Sequence, residues 1–404
     1  MSTSTGLSRR RVNPSSGDNS TESFTNGHTS SGSNGTAAAA SSASPVGVHA
    51  GSAFAGGSKI AYDPRDLERD DEELRTGGKM PKLTIMEEVL LLGLKDRQGY
   101  LSFWNDNISY ALRGCILIEL SLRRRIAMYK DPNRRRLPLS ERLVQVIDDR
   151  QTGETLLDEA LKMMKAQEAV ERMSVNSWID LLSGETWNVL KIGYQLKQVR
   201  ERLAKGLVDK GVLRTEKRNF LLFDMATHPV ADVRTKDALV TRVVSLLTAT
   251  TSTVPATALD RDEQVQMRTM RSVCLVCAAY AASVLDNAFG RLGYEEREAA
   301  FARCDDILAE FAVWPFGATG SGSGSGSAPG PGGVVGAGAV PGATPRRRAE
   351  NGSRIGMGGV GNGREAVLGL MQEVRKEMSG GDEDLGGELV AAVLEVLSKL
   401  DSLL

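Results

Sequence analysis

Two basic residues three positions apart are the first candidates for chemistry in this chain. The apolar spacing predicts one long helix over 188–210, from which Lys197 and Arg200 project on the same side. A guanidinium beside an ammonium suits a phosphate monoester, which accepts several charge-assisted hydrogen bonds. The alternative is an ordinary solvated face paired with Glu201, since exposed basic residues are common and their ion pairs contribute little. Spacing alone leaves both interpretations open.

A second pair of candidates, Trp104 and Arg113, lies close to the start of a strongly apolar segment. The segment 109–122 predicts a core helix that is apolar on most sides. An exposed indole beside a cation is suited to holding an anionic head group at a wet surface. These residues therefore indicate recognition of an anionic head group.

Catalysis and metal binding have little support in the sequence. The chain has only three histidines, of which His28 and His49 lie in a low-complexity segment, so no Ser/His/Asp or Cys/His system can be assembled convincingly. Carboxylate or lysine chemistry stays formally open. The glycines at 356, 358 and 361 match a dinucleotide pattern without a preceding strand. Cys274 and Cys277 fall in the middle of an apolar helix, which is typical of buried structural thiols. We predict no catalytic residue, no metal site and no cofactor.

Composition favours a reduced, cytosolic setting. Lys and Arg number 50 against 51 Asp and Glu, so any attraction to phosphates must come from local clusters. All four cysteines occupy apolar helical surroundings, and we expect no disulfide bridge. No apolar run reaches the roughly 18 residues that span a bilayer, and the N-terminus lacks the pattern of a signal peptide. We expect a soluble or peripheral protein.

The predicted fold is mainly α: a single globular helical domain around a core bundle with small β-hairpins, flanked and interrupted by disordered low-complexity segments. We predict a disordered tail, the helical domain, a flexible Gly/Ser/Pro-rich insertion and C-terminal helices that pack on the same domain, in residues 1–78, 79–316, 317–363 and 364–404 respectively. The last helix carries an apolar stripe too large to remain exposed. The tail contains one basic cluster, Arg9, Arg10 and Arg11, which is either part of a solubilising tail or a short peptide read by a partner.

Local signals place the elements of the helical domain. Thr84 and Glu87 form a capping box at the start of the first helix, and Thr152 is expected to cap a later one. A strand over 143–147 is expected to pair with 126–128. A short strand is predicted over 100–104, and further helices over 174–182, 236–248, 264–292, 299–311, 364–378 and 385–404.

A hairpin is predicted after the long helix, with strands over 212–215 and 219–224 and a turn at 216–218. Helix and hairpin together imitate a winged-helix module, so nucleic-acid binding is the rival hypothesis. The apolar run 220–223 argues against it, because a wing tip that contacts DNA is normally polar and basic. Such a run favours burial, pairing between copies or insertion among lipids.

Six segments, in order, resemble the Golgi phosphoprotein 3 family of lipid-reading trafficking adaptors. They are Leu101–Asp106, Leu112–Leu120, Leu156–Lys162, Trp178–Asn188, Val199–Lys205 and Asn219–Pro229. The resemblance spans roughly 81–311. It is weaker beyond this region, where the Gly/Ser insertion interrupts the C-terminal helices.

The resemblance implies roles for particular residues. By motif, a pocket for phosphatidylinositol 4-phosphate falls on Trp104, Arg113, Lys197 and Arg200. The apolar hairpin is implied to insert into membranes and to mediate self-association through Phe220, Leu221 and Leu222. The N-terminal cluster Arg9, Arg10 and Arg11 resembles one that binds the coatomer coat.

The function implied by the resemblance is that of a non-enzymatic peripheral adaptor on the cytosolic face of the Golgi, with a cytosolic pool. It would link the cytosolic tails of Golgi glycosyltransferases to coatomer for retention and retrograde vesicle transport. Nucleic acid is not an expected partner. Several weak contacts would combine to give stable recruitment.

Overall fold

A computed structural model describes residues 79–101, 106–186, 188–220, 223–317, 360–378 and 384–400. The predicted tail and most of the predicted insertion lie outside these ranges. So do several candidate residues, namely Arg9, Arg10, Arg11, Trp104, Leu221 and Leu222.

The described part of the chain is mainly helical, as predicted. Its α-helices are α1 (Ile85–Gly93), α2 (Asp106–Leu122), α3 (Thr155–Glu168), α4 (Val175–Ser183), α5 (Val199–Asp209), α6 (Val233–Leu247), α7 (Arg268–Ala281), α8 (Tyr294–Phe311), α9 (Val360–Glu377) and α10 (Leu385–Leu397). Its strands are β1 (Ile126–Met128), β2 (Val144–Val146), β3 (Glu216–Phe220) and β4 (Phe223–Thr227).

Helix α1 lies at the centre of the core and starts where the sequence predicts. The hydroxyl of Thr84 accepts a hydrogen bond from the backbone N–H of Glu87, and the Glu87 carboxylate accepts one from the backbone N–H of Thr84. Every residue of the helix is buried. Burying a carboxylate without a partner is costly. Both buried carboxylates of the helix have a cationic partner: Glu87 pairs with Lys210 at 2.8 Å and Glu88 with Arg242 at 2.6 Å.

Helix α2 joins the core through a buried ion cluster around Glu119. Arg271 of α7 approaches this carboxylate at 2.8 Å and Arg123 at 3.2 Å, and the backbone N–H of Ile85 donates to it at 2.9 Å. Burial opposes ionisation of Glu119, but the two guanidinium groups outweigh it and lower the pKa to about 2. The cluster therefore connects α1, α2 and α7 through one charged side chain.

The two sheets are antiparallel hairpins. The predicted pairing of the first is confirmed, with Ile126 opposite Val146 and Met128 opposite Val144. The predicted arrangement of the second is wrong, because the segment expected to form its turn, 216–218, is strand β3. Strand β3 pairs with β4 from Glu216 opposite Thr227 to Phe220 opposite Phe223, which is the last pair of the hairpin.

Helix α10 packs against α2, α4, α7 and β1. Its Glu388 is 1 % exposed and forms ion pairs with Arg142 at 2.6 Å and Arg134 at 3.1 Å. Helix α9 begins at Val360, four residues before its predicted start at Arg364. It contacts α7 and α8. The last helices thus cover the same core as the earlier ones.

Three other predicted elements differ from the structure. Thr152 does not cap α3, which begins at Thr155 after Glu154; its hydroxyl donates instead to Asp158 at 2.8 Å. The helix predicted over 264–292 ends at Ala281, since Ser283 adopts a positive φ of 56°. Of the predicted strand over 100–104, the described residue Leu101 forms only an isolated bridge with Leu94.

All four cysteines are buried and free, as predicted from their apolar surroundings. Burial raises the pKa of each thiol. They are therefore structural parts of the core with little thiolate character.

Candidate functional site

The predicted helix over 188–210 is wrong, and the difference defines the candidate site. Helix α4 ends at Gly184, which has a φ of 90° that favours glycine. The chain then forms a 3₁₀ helix over Val189–Tyr194 and starts α5 only at Val199. We call the intervening segment, residues 184–198, the basic loop. Gln198 precedes α5 with a φ of 53°, so Lys197 lies outside the helix and Arg200 inside its first turn.

Arg113 of α2 joins the last turn of α4 to the end of the basic loop. Its side chain is 5 % exposed. Its Nε donates to the carbonyl of Leu182 at 3.2 Å and its Nη2 to the carbonyl of Leu196 at 2.8 Å. Its Nη1 donates to the carbonyl and hydroxyl oxygens of Ser109, at 2.9 and 2.7 Å. The guanidinium is thus fixed by oxygen atoms that carry no net charge.

Arg113 and Arg200 lie close enough for their charges to interact. Burial is the largest cause that lowers the pKa of Arg113, to about 10, and the charge of Arg200 is the second; Glu201 acts weakly in the opposite direction. A lowered pKa means that the surroundings penalise the cation. A bound anion would offset the repulsion between the charges of Arg113 and Arg200.

Lys197 is the third candidate cation and lies in the chain segment that leads into α5. It is exposed and forms no ion pair with any residue in the described ranges. The nearby Arg202 is different, because it pairs with Glu159 of α3 at 2.6 Å. The start of α5 also presents backbone N–H groups, which favour negative charge. We refer to the three candidate cations Arg113, Lys197 and Arg200 as the cation cluster.

The other candidate residues have a more limited description. Trp104 lies outside the described residues, two positions before the start of α2 in the chain. Phe220 is described as the last residue of β3, opposite Phe223. Arg218 of the same strand donates to the backbone carbonyl of Arg97, which connects the hairpin to the segment after α1.

Sequence reasoning missed two features of the site. It did not identify the carbonyls of Leu182 and Leu196 as partners of Arg113, because backbone acceptors leave no trace in residue type. It also assigned Val189 and Leu190 to a helix, whereas both are highly exposed in the basic loop. The glycine at 184 was the available signal that the chain stops being helical there.

Within the described ranges there is no group of His, Cys, Asp and Glu side chains that could hold a metal ion. No helix in these ranges is long and apolar enough to cross a membrane.

Comparison with known proteins gives the family. The family model for Golgi phosphoprotein 3 (GPP34) matches residues 85–326. The chain belongs to the Golgi phosphoprotein 3 family. It is 58 % identical over 265 residues to vacuolar protein sorting-associated protein 74 of Schizosaccharomyces pombe, covering 66 % of this chain and 76 % of that protein. It is 54 % identical over 258 residues to the protein of the same name from Eremothecium gossypii, covering 64 % and 75 %.

These names connect Golgi phosphoprotein 3 proteins with the Golgi and with protein sorting. The resemblance found in the sequence is therefore confirmed at the level of the family. The matched region contains the basic loop, the cation cluster and the β3–β4 hairpin.

Proposed function

We propose that this chain is a peripheral membrane adaptor that binds phosphatidylinositol 4-phosphate on the cytosolic face of the Golgi, with a cytosolic pool. The observation that carries the proposal is that Arg113, held by the carbonyls of Leu182 and Leu196, is close enough to Arg200 for the charge of Arg200 to help lower its pKa, after burial. Lys197 is exposed and lies three residues before Arg200 in the chain. Trp104 is assigned by family motif to the same pocket, at the membrane interface.

The residues of the cation cluster have different parts in this proposal. Arg200 and Lys197 hold the 4-phosphate, since a phosphate monoester accepts several charge-assisted hydrogen bonds. Arg113 contributes its charge from a fixed position, because four oxygen atoms already hold its guanidinium. It therefore helps to position the site as well as to attract the ligand.

Other surfaces supply the remaining contacts. Phe220, Leu221 and Leu222 insert into the membrane or mediate self-association, a role supported by the family motif and by the position of Phe220 in the last pair of the hairpin. Arg9, Arg10 and Arg11 bind coatomer, and cytosolic tails of Golgi glycosyltransferases are the cargo retained or returned in retrograde vesicles. Because each contact is weak, recruitment depends on their combination.

Vesicle flotation tests the lipid part of this proposal. The variant Lys197→Ala/Arg200→Ala is expected to lose recruitment to phosphatidylcholine vesicles that contain phosphatidylinositol 4-phosphate. Arg202→Ala is the matched control, since Arg202 lies on the same helix but is paired with Glu159. Unchanged flotation of the double variant refutes the proposal. Salt-dependent binding of duplex DNA, lost in the same variant, would instead support the winged-helix hypothesis.

A further inference from the structure

The basic loop exposes several apolar side chains although hydrogen bonds hold its backbone in place. Val189 is 77 % exposed, Leu190 is 89 % exposed and Ile192 is 48 % exposed. All three belong to the 3₁₀ helix of the loop. Scattered exposed apolar residues are normal, but three within four positions form a patch that indicates a partner.

The structure of the loop is fixed at several points. The backbone N–H of Leu196 donates to the carbonyl of Leu182 at 3.1 Å, which closes the loop at its base. The hydroxyl of Tyr194 donates to Gln167 at 2.6 Å, and the side chain of Asn188 accepts from the backbone N–H of Leu190 at 3.0 Å. Local hydrogen bonding therefore holds Leu190 in an exposed position.

The charges of the same segment identify the partner. The basic loop contains Lys191 and Lys197 against one acidic residue, Glu185, which precedes the 3₁₀ helix. Lys191 lies within the 3₁₀ helix and approaches Glu171 at 3.5 Å, with both side chains partly exposed. Lys197 follows the loop, and Arg200 comes next in α5. Apolar side chains flanked by cations suit the boundary between anionic head groups and acyl chains.

Arg113 connects this patch to the cation cluster. It bonds the carbonyls of Leu182, in the last turn of α4, and Leu196, near the end of the loop, and its charge interacts with that of Arg200. A head group bound by the cluster therefore brings the lipid surface to the base of the loop. The same contact fixes the loop with respect to the head group.

We propose that the basic loop is a membrane-inserting element distinct from the β3–β4 hairpin, in which Val189, Leu190 and Ile192 enter the acyl boundary of an anionic bilayer. The inference rests on the proposed function, because it takes the cation cluster as the head-group site. It adds a second apolar contact next to that site.

A polarity-sensitive dye at position 190 tests insertion directly. All four native cysteines are buried, so a Leu190→Cys variant can be labelled selectively with a nitrobenzoxadiazole dye. Leu368→Cys is the matched control, since Leu368 is an exposed leucine on α9. Emission and flotation are measured together on phosphatidylcholine vesicles, alone, with phosphatidylserine, or with phosphatidylinositol 4-phosphate.

The outcomes separate the two proposals. A blue shift at position 190 but not at 368 on the phosphoinositide vesicles supports insertion. Flotation without a blue shift at 190 overturns insertion and leaves the proposed function standing. Equal flotation and equal blue shift with phosphatidylserine supports insertion and overturns phosphoinositide selectivity. Absence of flotation on every vesicle overturns both.

Substitution gives an independent measure. Leu190→Ser is expected to weaken partition onto phosphoinositide vesicles about tenfold, the factor expected when one large aliphatic side chain stays in water. Binding of soluble inositol 1,4-bisphosphate should be unchanged, because this ligand offers no acyl boundary. Leu368→Ser should change neither. Equal partition of Leu190→Ser and the unsubstituted protein would overturn the inference.

Discussion

Two ion pairs with the same distance but different burial give a sharp test of how α10 is held. Arg142 and Glu388 are 2.6 Å apart with side chains 9 % and 1 % exposed, whereas Lys376 and Glu373 of α9 are 2.6 Å apart with side chains 69 % and 43 % exposed. Glu388→Gln leaves Arg142 and also Arg134 without a counter-charge in the core. We expect it to lower the free energy of unfolding by roughly 3–5 kcal/mol.

The matched substitution Glu373→Gln should lower it by less than about 1 kcal/mol, since exposed pairs contribute little. Urea denaturation at neutral pH, followed by circular dichroism, measures both. Replacing Glu388, Arg134 and Arg142 together by apolar residues should recover much of the loss, because it removes the unpaired charges. Equal losses for Glu388→Gln and Glu373→Gln would refute the argument that burial decides the effect.

Further predictions concern other parts of the core. Glu119 has a folded-state pKa of about 2 against an ordinary 4.5, so its stabilisation, of the order of 3 kcal/mol, is present above about pH 5 and lost as the pH falls towards 2; Glu119→Gln should flatten stability over that range in acid titrations. Gly369→Ala should destabilise by roughly 1–3 kcal/mol despite the better helix propensity of alanine, since its Cβ would clash with the carbonyl oxygen of Ser252; a raised melting temperature would contradict this. The buried thiols should react with Ellman's reagent only after denaturation, and a fast-reacting thiol in the native protein would argue against it.

The sequence predicts best those elements whose signals are local. The capping box at Thr84 starts α1 as expected because both partners lie within one turn. The pairing of 126–128 with 143–147 follows from two short apolar strands close together in the chain. Such signals need no information about distant contacts.

The prediction of a long helix over 188–210 was wrong because the local structure there depends on contacts between residues that are distant in the sequence. Leu196, Val199 and Leu203 keep a helical spacing across the break, and all three are buried. Nevertheless Leu196 lies in the loop, where its backbone N–H bonds to Leu182, and its side chain is buried in the core. Gln198 adopts a left-handed conformation that its residue type does not predict. Periodicity reports which residues are buried, and here two different local structures bury the same ones.

The candidate site also combines features that the sequence can predict with features that depend on distant contacts. Spacing alone left Lys197 and Arg200 open between anion binding and a solvated face, and it placed both on one helix face that the structure does not have. The link to Arg113 depends on α2, α4 and α5 meeting in three dimensions. It could not follow from spacing in the sequence.

The double role of Arg113 decides which variants can test lipid binding. Its guanidinium joins the last turn of α4 to the end of the basic loop, so Arg113→Ala removes a buried donor from the carbonyls of Leu182 and Leu196 as well as a charge from the cluster. The carbonyl of Leu182 keeps the N–H of Leu196 as a donor, whereas an unsatisfied buried carbonyl at Leu196 would cost about 1–3 kcal/mol. Loss of membrane binding in that variant would therefore not distinguish a missing ligand contact from a loosened loop. Lys197 is exposed and Arg200 lies in the first turn of α5. Their substitution changes the charge of the site and leaves Arg113 with its bonds to Leu182 and Leu196. The comparison between the two kinds of variant therefore separates attraction of the head group from positioning of the loop by Arg113.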